Sequence, residues 1–254
     1  MRHLRPQAMD SHPDPPNWSH WQGQALVVGR GGIGRALLAL LPGRAPGLQV
    51  WSAGRAPQEE RHLRLDLADD ASLADFQERA REHLPELRLV IHTSGLLHDG
   101  ELQPEKRLSQ VRRDWLERSF TVNAWGPLLL AQALEERLPR HLPCQFASLS
   151  ARVGSIGDNR LGGWYAYRAA KAAQNQLLAT LALEWRRRRP RTCVTLLHPG
   201  TTITELSAPF RGGVPAERLF SPERAGGHLL DVLALQRPED SGAFLAWDGS
   251  AIPW

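Results

Sequence analysis

Tyr167 and Lys171 stand four residues apart in Tyr165-Ala166-Tyr167-Arg168-Ala169-Ala170-Lys171, a stretch holding both tyrosines and one of the two lysines of the 254-residue chain. On a helix that spacing sets both side chains on one face. A phenol beside an ammonium is a proton donor whose pKa the cation lowers, an acid–base pair in outline. The lysine is informative because arginine supplies 29 of the 31 Lys and Arg residues. A planar, always-charged guanidinium does not replace a compact ammonium that must titrate. Tyr165 lies six residues from Lys171, on a different helical face, and is assigned to packing or a pocket wall. Tyr and Lys at this spacing also occur on many solvated helices, so the elements that position them must decide.

Those elements alternate. Hydrophobic patterning predicts strands over 24–28, 48–52, 61–65, 89–92, 145–149, 192–197 and 242–247. Helical periodicity runs over 33–41, 72–83, 114–120, 127–138, 164–188 and 222–236. Seven strands with intervening helices imply the α/β class, a doubly wound seven-stranded parallel sheet with helices on both faces. A single domain over 21–254 is expected, preceded by a loose, polar, Pro- and His-rich arm over 1–20. Residues 201–220 lack periodicity and read as a substrate lid with Ile203, Leu206 and Phe210 as apolar lining.

Composition narrows the setting. No run approaches the ~18 apolar residues of a membrane span, and no signal-peptide core stands at the start. Cys144 and Cys193 are too few for a disulfide framework and sit in buried strand patterns, so a reducing, cytoplasmic location is expected. The net charge of +4 raises anionic partners. Its densest run, Arg186-Arg187-Arg188-Arg189, ends a helix and reads as a solvated cap. With neither zinc-ligand spacing nor a recognition helix, no metal and no nucleic acid are expected, and an anionic cofactor uses the charge most economically.

The strand ends carry the cofactor signal. Val27-Val28-Gly29-Arg30-Gly31-Gly32-Ile33-Gly34 follows a strand and opens a helix, where glycines let the backbone approach a pyrophosphate. The second strand ends Trp51-Ser52-Ala53-Gly54-Arg55, with no carboxylate from Gln49 to Gln58 to bond a ribose 2′-hydroxyl. Arg55, with Arg30 from the turn, suits a 2′-phosphate, so NADP(H) is favoured over NAD(H).

With these residues in hand, the chain resembles the short-chain dehydrogenase/reductase family over about 24–250, nearest its C-factor-like branch. Tyr167 and Lys171 match that family's Tyr-x-x-x-Lys, and Asn123 in Val122-Asn123-Ala124-Trp125-Gly126-Pro127 matches its active-site Asn. The resemblance implies cofactor contacts from Gly29, Arg30, Gly31, Gly32, Ile33 and Gly34, and from Arg55. It also implies contacts from Asp66 and Leu67, Ser94 and Gly95, and Pro199, Gly200, Thr202 and Thr204. Three departures stand out. The glycine turn is one residue shorter than the family form, and Asn-Asn-Ala-Gly is replaced by His92-Thr93-Ser94-Gly95. The family Ser position, three before Gly154, falls on Ala151, with Ser148, Ser150 and Ser155 nearby; Ser150, the nearest hydroxyl, is expected to fill the role.

The expected activity is hydride transfer between NADP(H) and a small carbonyl or alcohol substrate. Tyr167 would exchange the proton, Lys171 would lower the phenol's pKa and Ser150 would polarise the carbonyl, and the resemblance implies that Asn123 holds a water behind Lys171. The resemblance implies a homodimer or homotetramer through helices 124–138 and 164–188. An NADP-binding regulatory or signalling protein with little turnover is the alternative.

Overall fold

The computed structural model describes residues 18–55, 60–100 and 102–254. Seven parallel strands form its central sheet: β1 (Gly23–Val28), β2 (Leu48–Gly54), β3 (His62–Arg64), β4 (Leu87–His92), β5 (Cys144–Leu149), β6 (Thr192–His198) and β9 (Ala243–Ala246). All six residues of β4 and of β5 are buried, as strands covered on both faces must be. The six main helices are α1 (Gly32–Arg44), α2 (Asp70–His83), α3 (Arg113–Phe120), α4 (Gly126–Leu134), α5 (Tyr165–Arg188) and α6 (Pro222–Leu233).

Two apolar layers flank the sheet. Leu37 and Leu41 of α1 pack with Leu229, Leu230 and Leu233 of α6 on one face. Phe76 of α2, Leu130 and Leu134 of α4, and Leu178 and Trp185 of α5 cover the other. Local chemistry starts the helices where expected: Asp69 accepts from Ala71 N at 3.0 Å to cap α2, and Ser221 accepts from Arg224 N to cap α6.

The strand order β3-β2-β1-β4-β5-β6-β9 reverses direction between β1 and β4. At that switch point the loops after the two strands diverge and leave a crevice at their carboxyl ends. The turn after β1 and the segment His92–Gly95 after β4 therefore flank the place where a ligand binds in such sheets.

Two expectations change. Of the arm expected over 1–20, residues 1–17 lie outside the described residues, whereas Trp18 is buried with Trp21 against α1 and α6. Trp18 thus belongs to the domain, because an indole of this size is buried whenever a core face is within reach. The segment expected as a lid is also not structureless. Its ends are stitched by two short parallel strands, β7 (Thr201–Thr202) and β8 (Leu219–Phe220), with 3-10 turns between them.

Candidate active site

Helix α5 brings Tyr167 and Lys171 to the carboxyl ends of the strands, both buried, with Lys171 Nζ 5.7 Å from the Tyr167 ring centroid. Lys171 donates to Leu149 O and to Gln174 Oε1, each at 2.9 Å. Burial pushes the Tyr167 phenol well above its ordinary pKa and pulls the Lys171 ammonium down to about 7. Desolvation is the cause of both shifts, and it acts on the phenol in the direction opposite to the lowering expected from the lysine. The result keeps Tyr167 protonated, the form that donates, and leaves Lys171 able to gain or lose its proton near neutrality. Tyr165 is 43% exposed, on another face, as its spacing predicts.

The start of α5 is held from afar. Trp164, just before it, has φ 52°, a left-handed conformation that a bulky residue adopts only when its surroundings enforce it. Trp164 N donates to Glu105 O at 2.5 Å, and Ala166 N donates to Glu105 Oε2 at 3.2 Å. Glu105, 2% exposed, thus caps the helix that carries the tyrosine. Sequence reasoning missed Glu105, because a cap sixty-one positions away leaves no local spacing to read. The Trp164 ring meets Tyr167 edge-on at 6.2 Å and Phe210 of the lid at 4.8 Å.

Asn123 is fully buried where the helix between α3 and α4 widens into a π turn over Thr121–Trp125. Such turns recur at functional sites. Its Oδ1 accepts from Leu96 N at 2.9 Å and its Nδ2 donates to Leu96 O at 2.7 Å. Both ends of the amide bond Leu96, so the side chain fixes the loop after β4 to the π turn.

Ser150 is a further correction. Its hydroxyl donates to Asn175 Oδ1 at 2.6 Å, buried beneath α5 two turns beyond Tyr167. A residue still in step with β5 keeps the strand's alternation, and that turns Ser150 inward. Ser155 Oγ accepts from Asp158 N at 3.0 Å, and Ser148 lies within a buried network with His92 and Gln174. Ala151 stands where the loop begins.

The first turn fits a dinucleotide. Gly29 has φ 99°, and a Cβ there would reach Ser94 N and the Thr93 hydroxyl within 2.8 Å. A Cβ on Gly34 would lie 2.0 Å from Gly29 O, so α1 packs hard against the turn. By contrast a Cβ on Gly31 meets nothing within 4 Å: the turn faces open space there. Thr93 Oγ1 lies 3.0 Å from Val28 O and 3.1 Å from Gly29 O, so the residue replacing an Asn of the family still ties the two loops together.

The other expected cofactor residues lie at or beyond the carboxyl ends of the strands. Thr204 Cγ2 sits 2.8 Å from where a Gly32 Cβ would be, and Leu206 is 3.6 Å from that of Gly95, bringing the lid over both loops. Pro199 and Gly200 follow β6, with Gly200 at φ 74° against Phe220, and Thr202 is buried in β7. Leu67 packs under Gly126, while Asp66 Oδ1 accepts from Ala68 N at 3.0 Å. Arg30 Nη1 donates to Ser52 Oγ at 3.2 Å at the end of β2, and Arg55 is exposed just beyond it. Ile33 opens the second position of α1. Of the lid's apolar residues, Leu206 and Phe210 face the site, whereas Ile203 is 44% exposed.

A family model described as enoyl-(acyl carrier protein) reductase matches residues 48–247. The chain is 30% identical over 190 residues to 1-hydroxy-2-glutathionyl-2-methyl-3-butene dehydrogenase of Rhodococcus sp. (strain AD45), covering 75% of this chain and 78% of that one. It is 36% identical over 140 residues to C-signal of Myxococcus xanthus, covering 55% and 78% of the respective chains. The NADPH-bound carbonyl reductase from chicken fatty liver superposes with a TM-score of 0.79 at 24% identity, over 92% of this chain and all of that one. The chain belongs to the short-chain dehydrogenase/reductase family. It is accordingly an oxidoreductase of the kind that works with a nicotinamide dinucleotide. Among the described residues no helix is long and apolar enough to cross a membrane.

Proposed function

We propose that the protein reduces and oxidises a carbonyl/alcohol pair with NADP(H), using Tyr167 as proton donor and acceptor and Lys171 as its partner. The observation that carries this is the pair itself: a phenol and an ammonium buried together on one face of α5, beside the sheet's switch point. Gly29 to Gly34, Ser94, Gly95, Pro199, Gly200, Thr202 and Thr204 would hold the dinucleotide, with Asp66 and Leu67 toward its adenine end. Arg30 and Arg55, at the end of β2 where no carboxylate stands, would take the 2′-phosphate. Bound there, the dinucleotide supplies or accepts the hydride.

In the reductive direction Tyr167, kept neutral by burial, donates its proton to the forming alkoxide. With Ser150 turned into Asn175, the phenol also supplies the hydrogen bond that orients the carbonyl. Trp164, Phe210 and Leu206 wall the space above it and favour a substrate with an apolar body. Pairing of two chains through α4 and α5 belongs to the same proposal.

The inward Ser150 also favours a second reading, a dinucleotide-binding signalling protein, to which the likeness to C-signal lends weight. Titration with NADPH and NADH, followed by NADPH oxidation against aldehydes, ketones and quinones, separates the two. Tighter NADPH binding with turnover supports the enzyme; binding without any turnover supports the signalling protein. Ser150→Ala is expected to keep the rate within a few-fold, and a loss of ~10²-fold or more would restore Ser150 to the catalytic set.

A further inference from the structure

Behind Lys171 lies a chain of side chains that the catalytic roles above do not use. Gln174, one turn further along α5, accepts from Lys171 Nζ through Oε1 at 2.9 Å. Its Nε2 donates to Ser148 Oγ at 2.8 Å and to Leu149 O at 3.2 Å. Ser148 Oγ is in turn 2.9 Å from His92 Nδ1 on β4. Gln174, Ser148 and His92 are each fully buried, and Lys171 is 2% exposed. Every bond in the chain joins groups on different elements or on successive turns, so none can shift alone.

An ammonium has three N–H donors. Leu149 O and Gln174 Oε1 occupy two of them. We propose that Gln174 is a positioning residue for Lys171, fixing the ammonium so that its third donor is the one offered to a ligand, with Ser148 and His92 holding Gln174 in place. This rests on Lys171 being the working lysine of the proposed function. Both acceptors are neutral, so the charge of Lys171 is supported by two dipoles and the Tyr167 ring rather than by a carboxylate, in keeping with its lowered pKa. A direct change at Gln174 must therefore move the titration of Lys171.

The other titratable groups are placed so that they leave this control to Gln174. On α5 itself Tyr167 is neutral and Arg168 turns away to Gly162 O and Gly163 O. From β4, His92 is held to about 3 by burial and, secondarily, by Lys171, so it stays uncharged at neutral pH. In the 3-10 turn packed on α5, Arg152 pairs with Asp158 at 2.7 Å. On α3, which also packs on α5, Asp114 pairs with Arg112 and Arg118 with Asp99, all partly exposed. From β6, His198 is half-buried and held to about 4, chiefly by desolvation of its ring. Glu105 at the start of α5 is bonded to Ala166 N.

The chain contains only two lysines, Lys106, which is exposed, and Lys171, so a protein labelled with 13Cε-lysine gives two lysine signals. Lys171→Met assigns them. In wild type, without any added ligand, one signal is expected to titrate near 7. In Gln174→Leu that midpoint falls by about one pH unit, because one of two supporting dipoles is gone; in Gln174→Glu it rises by at least as much, because a carboxylate replaces the amide. Opposite shifts support the proposal. An unchanged midpoint in either variant, or shifts of the same sign, overturns it. If Gln174→Leu does not fold, the rise in Gln174→Glu decides alone. The measurement needs no turnover, so variants that show these shifts beside a wild type that never oxidises NADPH would refute the proposed activity and leave the positioning role standing.

Discussion

Lys171 and Arg189 are buried cations at two places along one helix, and they are compensated in opposite ways. Arg189, just past the end of α5, is 1% exposed. Its guanidinium meets Glu135 at 3.3 Å, Glu136 at 2.9 Å and Leu138 O at 2.7 Å. Lys171 has two neutral acceptors and no carboxylate bonded to it among the described residues. Arg189 therefore locks the end of α5 to the turn after α4. Lys171 is left with a proton loosely held. A buried charge that serves structure is fully paired, whereas one that serves chemistry is kept close to its titration point.

The comparison breaks if the two cations respond alike to removal. Arg189→Leu leaves Leu138 O without this donor and Glu135 with Arg188 at 3.4 Å, and chemical denaturation should show a loss of about 3 kcal/mol. Lys171→Met should act in the other direction. A lysine whose folded pKa is about 7 against an ordinary 10.5 binds fewer protons folded than unfolded across that window. Its contribution to stability therefore rises with pH, by up to about 1.4 kcal/mol per unit, and is most unfavourable below neutrality. The difference between wild type and Lys171→Met, followed from pH 7 to pH 10 by thermal melting, should shrink by that slope, with the variant the more stable at pH 7. Glu136→Gln sharpens the account of Arg189. Glu136 is 67% exposed, so its loss should change stability by only about 0.5 kcal/mol.

Much of this was legible in residue order. The alternation of strand and helix patterns, the glycine turn after the first strand and the Tyr167–Lys171 spacing place the candidate site at the sheet's carboxyl ends, and the glycine turn, Tyr167 and Lys171 stand there in the structure. Arg189 was not legible: nothing in Arg186-Arg187-Arg188-Arg189 tells that one of four like residues turns inward, because its partners Glu135 and Glu136 are more than fifty positions away. Ser150 misled for a related reason. Proximity in sequence favoured it, but the strand's alternation carries its hydroxyl to Asn175. Gln174 and Glu105 act across the fold, through Lys171 and the start of α5, and local spacing does not report such bonds. Trp164 left a partial trace, since Gly162-Gly163 before it announces an irregular entry to the helix.

The central claim is that Tyr167 exchanges the proton. Tyr167→Phe removes one oxygen from a buried ring and leaves the glycine turn, Arg30 and Arg55 untouched. Single-turnover oxidation of NADPH with the best carbonyl substrate of the panel tests it most directly. The account predicts that the variant binds NADPH within a few-fold of wild type and loses about 10²–10⁴ in rate. A variant that binds NADPH and still turns over at close to the wild-type rate would contradict it.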